Sequence, residues 1–175
     1  GLGGLSAAAH LTQQGHRITL VERDPIPGGR AGMIIEEGFR LDNGPTVLMM
    51  PNLLADAFNA AGAEMADFVT IDKVDPMYRA CYADGSTLFV RHGREAMTEE
   101  IRQFANAKEA EAFGRFCDWL EQLYRVEMAH FIDANFNSPL DLVKPWRAGL
   151  ELVKLGGFGK LGRKVASFFD DERLQ

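Results

Sequence analysis

Apolar positions along this 175-residue chain follow two periods, and the switch between them marks out the elements. Leu5, Ala8 and Leu11 recur at threes over residues 4 to 14 and predict a small-residue helix, stopped at Gly15. Ile18 to Val21 is a short unbroken apolar run, the pattern of a parallel strand covered on both faces. Met33-Ile34-Ile35 and Phe39-Arg40-Leu41 predict two strands joined through Glu37-Gly38. A helix is expected over Asn52 to Ala61, with Leu53, Leu54, Ala57, Phe58 and Ala61 inward and an end near Gly62. Phe68 to Val74, Met77 to Ala83 and Thr87 to Val90 predict strands, the last two forming a hairpin through Asp84-Gly85. Glu95 to Phe104 predicts a helix and Lys108 to Ile132 a longer one, striped by Phe113, Phe116, Cys117, Leu120, Leu123, Tyr124, Met128 and Phe131. Ser138-Pro139-Leu140-Asp141 has the make-up of a further helix start, with Ser138 as cap, and Pro145 interrupts that helix.

Composition narrows the class. A hydrophobic content of 46% is that of a globular chain, and a net charge of −6 argues against a general nucleic-acid binder. Cys81 and Cys117 have neither disulfide-framework density nor metal-ligand spacing, which makes a reducing cytosol the simplest compartment. His10, His16 and His130 lack a partner at ligand spacing, so no metal site is expected. No run approaches the roughly 20 apolar residues that span a bilayer. Charge is unevenly spread, however. Residues 136–169 hold six basic residues (Lys144, Arg147, Lys154, Lys160, Arg163, Lys164) against Asp141 and Glu151, a net of +4 in an otherwise acidic chain. With its tryptophan and leucines, that segment fits either a membrane-surface element or a solvated positive face.

The chemistry concentrates near the beginning. Gly1-Leu2-Gly3-Gly4 opens the first predicted helix, and Gly1 and Gly4 fit the second and third glycines of G-x-G-x-x-G. Such glycines let the backbone approach a pyrophosphate at the amide-rich start of a helix, and an acid ending the next strand, here Glu22, accepts from a ribose hydroxyl. The strand that should precede the glycines is absent, so the chain is expected to be an internal piece of a longer protein. Glycine-rich helix starts recur in many nucleotide folds, and alone this pattern is weak.

Glu22-Arg23-Asp24-Pro25-Ile26-Pro27-Gly28-Gly29-Arg30 strengthens it. Paired glycines let a chain pass close under a diphosphate or ribityl chain, and Arg30 offers a planar fork of donors. This stretch matches E-x-x-x-x-x-G-G-R and resembles the second fingerprint of a flavoprotein group that includes amine oxidases, protoporphyrinogen oxidases and carotenoid desaturases. Gly38-Phe39 and then Asp42-Asn43-Gly44-Pro45-Thr46, at about the family distance, resemble the bacterial phytoene-desaturase-type carotenoid desaturases. Asp75-Pro76-Met77-Tyr78-Arg79-Ala80-Cys81-Tyr82 and the closing Asp170 to Gln175 look like the same family.

The resemblance runs in order through essentially the whole chain. It implies an α/β fold: an incomplete Rossmann-like FAD-binding domain over 1–72, the start of a mixed substrate-binding sheet over 73–93, and a helical substrate- or membrane-associating region over 94–175. It implies FAD as cofactor, with Gly1, Gly3 and Gly4 along the phosphates, Glu22 at the adenosine ribose, Arg23, Gly29 and Arg30 along the cofactor, and Asp42, Gly44, Pro45 and Thr46 bordering the flavin. The family chemistry is dehydrogenation of phytoene or a related long polyene, with hydride passing to flavin. The expected location is cytoplasmic, peripheral on the inner face of the membrane, with contact through 136–169. No catalytic acid or base is assignable, and the piece alone is expected to be inactive. Tyr78 and Tyr82 share a strand face and either line an apolar cavity or pack as ordinary core. An amine oxidase, a carotenoid isomerase and a nicotinamide-binding module without flavin stay open as alternatives.

Overall fold

The computed structural model describes every residue except Pro45, Thr46, Asp133 and Val143, and only the backbone of Pro139 and Leu142. The chain divides into two compact units, Gly1–Asp72 and Lys73–Gln175.

The first unit opens with α1 (Leu2–Gln13), followed by β1 (Gly32–Glu36), β2 (Phe39–Asn43) and α2 (Pro51–Ala60). β1 and β2 pair antiparallel with Ile34 opposite Leu41, around the expected Glu37-Gly38 turn, where both residues have positive φ. Pro51 starts α2 because a first-turn amide has no partner to lose. α1 is tied to α2 by His10 Nε2, 3.3 Å from Asp56 Oδ2. The expected strand over Ile18 to Val21 does not form: among the described residues nothing pairs with the segment. A parallel strand exists only with ladder partners alongside, whatever its apolar run. Ile18 and Leu20 instead line a groove of about 540 Å³ with Ala8 and Ala9 of α1 and Ala60 of α2.

The second unit contains β3 (Tyr78–Cys81), β4 (Thr87–Val90), α3 (Arg94–Phe104), α4 (Ala107–Glu127), α5 (Trp146–Leu155) and α6 (Leu161–Ala166). β3 and β4 make the expected hairpin, with Asp84 Oδ1 accepting from the Ser86 amide and hydroxyl at its turn. The expected strand over Phe68 to Val74 is absent for the same want of a partner. Among the described residues both sheets are two-stranded antiparallel hairpins.

Asn106 caps α4 through its side chain, which accepts from the Glu109 amide at 3.0 Å. α4 passes directly into a π-helix over Met128–Ile132, so the helical run ends at the residue the periodicity predicts. The next turn, a 3₁₀ helix over Pro139–Leu142, starts after Ser138 as expected, and the Asp141 carboxylate accepts the amides of Asn137 and Ser138. Leu88, Met97, Ile101 and Ala110 form one core between the hairpin, α3 and α4, and Val126, Ala148 and Leu152 form another between α4 and α5. No helix among the described residues is long and apolar enough to cross a membrane.

Candidate functional site

The start of α1 exposes a set of unpaired donors. Its first internal bond runs from the Leu5 amide to the Gly1 carbonyl at 3.1 Å, so the amides of Leu2, Gly3 and Gly4 have no acceptor within the helix. Gly1 at the cap position has no side chain to fill that role, and no acid occupies the first turn. A helix end of this composition favours an anion through its amides and dipole.

The Gly28-Gly29 loop lies directly against this helix start. Gly29 sits at φ +62, where an added Cβ would approach the Gly1 Cα to 2.8 Å, closer than real carbon pairs. A Cβ on Gly1 would meet the Gly28 carbonyl at 3.7 Å. The glycine-arginine loop is therefore built on bare backbone contact with the first glycine, distant in the chain yet adjacent in space.

Glu22 completes the group. Its Oε1 accepts the amides of Arg23 at 2.8 Å and Asp24 at 3.1 Å, and its Oε2 faces the Gly1 nitrogen at 3.6 Å. The Asp24 amide, followed by that of Arg23, holds the Glu22 carboxyl below its ordinary range. An ionised carboxylate with one oxygen committed to backbone amides presents the other as an acceptor for a hydroxyl.

The remaining predicted residues divide. Gly44 is brought against Arg30: a Cβ there would collide with the Arg30 carbonyl oxygen at 1.7 Å, so the residue after β2 lies on the backbone of the glycine-arginine loop. Asp42 stands opposite Met33 in the β1–β2 ladder, exposed and two residues before Gly44. Arg23 does not join the group: its side chain is 92% exposed, with Nε on Asp24 Oδ1 at 3.3 Å. At Gly3 a Cβ would meet nothing within 4 Å, and at Gly4 only the Leu20 side chain at 3.9 Å, so no protein neighbour demands glycine at either place. Pro45 and Thr46 lie outside the described residues.

The second unit holds a cavity of about 550 Å³ between the β3–β4 hairpin, α3, α4 and the C-terminal segment, lined by Tyr78, Tyr82, Met97, Phe113, Phe116 and Cys117 among others. Tyr82 has a structural tie there, donating its hydroxyl to the Arg173 carbonyl at 2.8 Å and packing its ring 5.5 Å from Phe104. Sequence reasoning missed Arg173. Its guanidinium pairs with Asp171 at 2.6 Å and Asp84 at 3.4 Å, donates to Ser86 Oγ at 3.1 Å and lies 4.2 Å from the Phe104 ring centroid. No local signal marks it, because Asp84 and Ser86 lie 89 and 87 residues away in the chain.

The family model described as flavin containing amine oxidoreductase matches residues 2–174. The chain is 50% identical over its whole length to a phytoene dehydrogenase of Streptomyces griseus, covering 34% of that protein. It is also 33% identical over its whole length to a lycopene-forming phytoene desaturase of Pseudescherichia vulneris, covering 35% of it. A 4,4'-diapolycopene oxygenase of Methylomonas sp is 32% identical over 99% of this chain and 35% of its own length. The chain thus spans about a third of the length of the curated relatives it matches. With the glycine start, the glycine-arginine loop and Glu22 gathered in one place, the match across nearly every residue shows that this chain belongs to the flavin containing amine oxidoreductase family.

Proposed function

We propose that this chain is part of an FAD-dependent desaturase acting on a long polyene such as phytoene. The observation that carries this reading is the 50% identity to a phytoene dehydrogenase along every residue of the chain. In this reading 1–72 is the cofactor-binding part, of Rossmann type, 73–93 begins the substrate sheet, and 94–175 is the helical substrate region.

The residues present suit FAD. The amides of Gly3 and Gly4 meet the diphosphate, and Gly1, Gly28 and Gly29 keep side chains out of its path. The second oxygen of Glu22 takes a ribose hydroxyl. Arg30, Asp42 and Gly44 lie toward the flavin, while Arg23 serves through its backbone amide, which orients Glu22. Bound FAD would supply the hydride acceptor for removing hydrogen across a carbon–carbon bond. The protein's part is to hold that group fixed and keep an apolar chain beside it, out of water. Segment 136–169 serves as the contact with the membrane in which such a substrate dissolves, on the cytoplasmic side.

The complete protein should retain FAD and, given phytoene, reduce its flavin while a more unsaturated polyene forms. Flavin reduction by amines but not by polyenes would overturn the desaturase reading, and a protein without flavin absorbance would overturn the cofactor. Glu22→Gln should lower FAD affinity about tenfold or more, since a hydrogen bond to a charged acceptor is lost. Unchanged affinity would remove Glu22 from the ribose.

A further inference from the structure

α5 has two apolar faces, and among the described residues only one is covered. At about 100° per residue, Ala148, Leu152 and Leu155 share one arc, which packs against Leu123, Val126 and Phe131. Trp146, Leu150 and Val153 fall on the opposite arc, and they are 58%, 53% and 59% exposed. Arg147 and Lys154 occupy a flank between the two arcs, which the exposed Glu151 shares. Beyond the left-handed Gly156, the exposed surface continues with Phe158 and Leu161, flanked in sequence by exposed Lys160 and Arg163.

The cations sort themselves by contact. Lys164 lies 5.4 Å from the ring centroids of both Trp119 and Phe168, and Lys144 pairs with Asp141, so these two serve the fold. Lys154, Lys160 and Arg163 have no carboxylate partner among the described residues, and Arg147 lies over the Trp146 ring at 5.3 Å. An apolar stripe edged by an excess of cations, Arg147, Lys154, Lys160 and Arg163 against Glu151, complements a surface that is anionic at the rim and apolar beneath. A second copy of the same face would set like charges against each other.

We propose that this face of α5 lies in the headgroup layer of an anionic bilayer, the helix parallel to the surface. Trp146, Leu150 and Val153 enter the acyl boundary, and Arg147, Lys154, Lys160 and Arg163 meet lipid phosphates. This rests on the membrane contact proposed above and narrows it from residues 136–169 to one face, without Lys144 and Lys164.

This chain contains two tryptophans, and the other, Trp119, is 8% exposed with its Nε1 donating to the Leu155 carbonyl. With vesicles of phosphatidylcholine and phosphatidylglycerol, the complete protein should show a blue-shifted emission quenched by brominated acyl chains, absent in Trp146→Phe. Leu150→Glu/Val153→Glu should lower vesicle partition at least tenfold, and replacing Lys154, Lys160 and Arg163 by Gln should lower it on the order of a hundredfold at low salt. Both variants should keep the Trp119 emission and wild-type FAD content, which separates this face from the flavin reading. No partition, or partition indifferent to Leu150→Glu/Val153→Glu, would overturn the proposal. So would self-association abolished by that variant, which would make the face an interface between copies.

Discussion

At the scale of single residues, the glycines of the first unit differ in what demands them. Gly29 has a left-handed φ of +62 and no room for a Cβ beside Gly1, whereas Gly3 faces open space. Gly29→Ala should therefore destabilise the protein by about 1–3 kcal/mol and reduce FAD retention with it. Gly3→Ala should leave the thermal midpoint unchanged, and a fall in FAD affinity there would report a contact with the ligand alone. Thermal unfolding and flavin absorbance of the two variants check this; equal midpoints would mean that Gly29 is not held as described. The motif spelled in sequence names both glycines and ranks neither. The ranking depends on how closely the loop returns to Gly1, which no local pattern encodes.

At the scale of elements, helices with one apolar stripe and tight hairpins were legible, because their hydrogen bonds close within a few residues. α1, α2, α3, β1–β2 and β3–β4 accordingly lie where the pattern puts them. Ile18 to Val21 and Phe68 to Val74 were not, because a strand needs a partner that its own residues do not specify. α5 is a subtler case. Its apolar residues surround it on two sides, and periodicity has no means of choosing the buried one. Leu152 is 6% exposed in the core with Val126 and Ala148, whereas Leu150 on the other arc is 53% exposed. Leu152→Ala should cost about 2–5 kcal/mol, and Leu150→Ala within roughly 0.5 kcal/mol. Hydrogen exchange of the α5 amides should accelerate in the first variant and stay at wild-type rates in the second.

At the scale of the second unit as a whole, acid should loosen it. Hydrogen bonds from Ser86 hold the Asp84 carboxyl low, Arg94 does so for Asp118, Lys144 for Asp141 and Arg173 for Asp171. A carboxyl with a depressed folded pKa binds fewer protons than its unfolded counterpart as pH falls. The stability it contributes is complete above the ordinary carboxylate range, near pH 4, and is lost as pH falls through and below that range. The thermal midpoint should drop across this window. Arg173→Ala should flatten the drop, because Asp84 and Asp171 lose a shared partner. Midpoints measured from neutral to acid pH would decide, and an undiminished acid slope in the variant would place the effect elsewhere.

The sequence by itself determined the order of the motifs, the family they resemble, the single-striped helices, the hairpins and the basic character of 136–169. Those features reside in residue identity and in spacings of a few positions, where backbone geometry leaves few choices. The tertiary structure decided which face of α5 is buried, that Lys164 sits on Trp119 and Phe168, that Gly29 touches Gly1, and that Arg173 reaches Asp84. Each of these depends on chain segments far apart in sequence meeting in space, and such meetings arise from the packing of the whole unit rather than from any stretch within it.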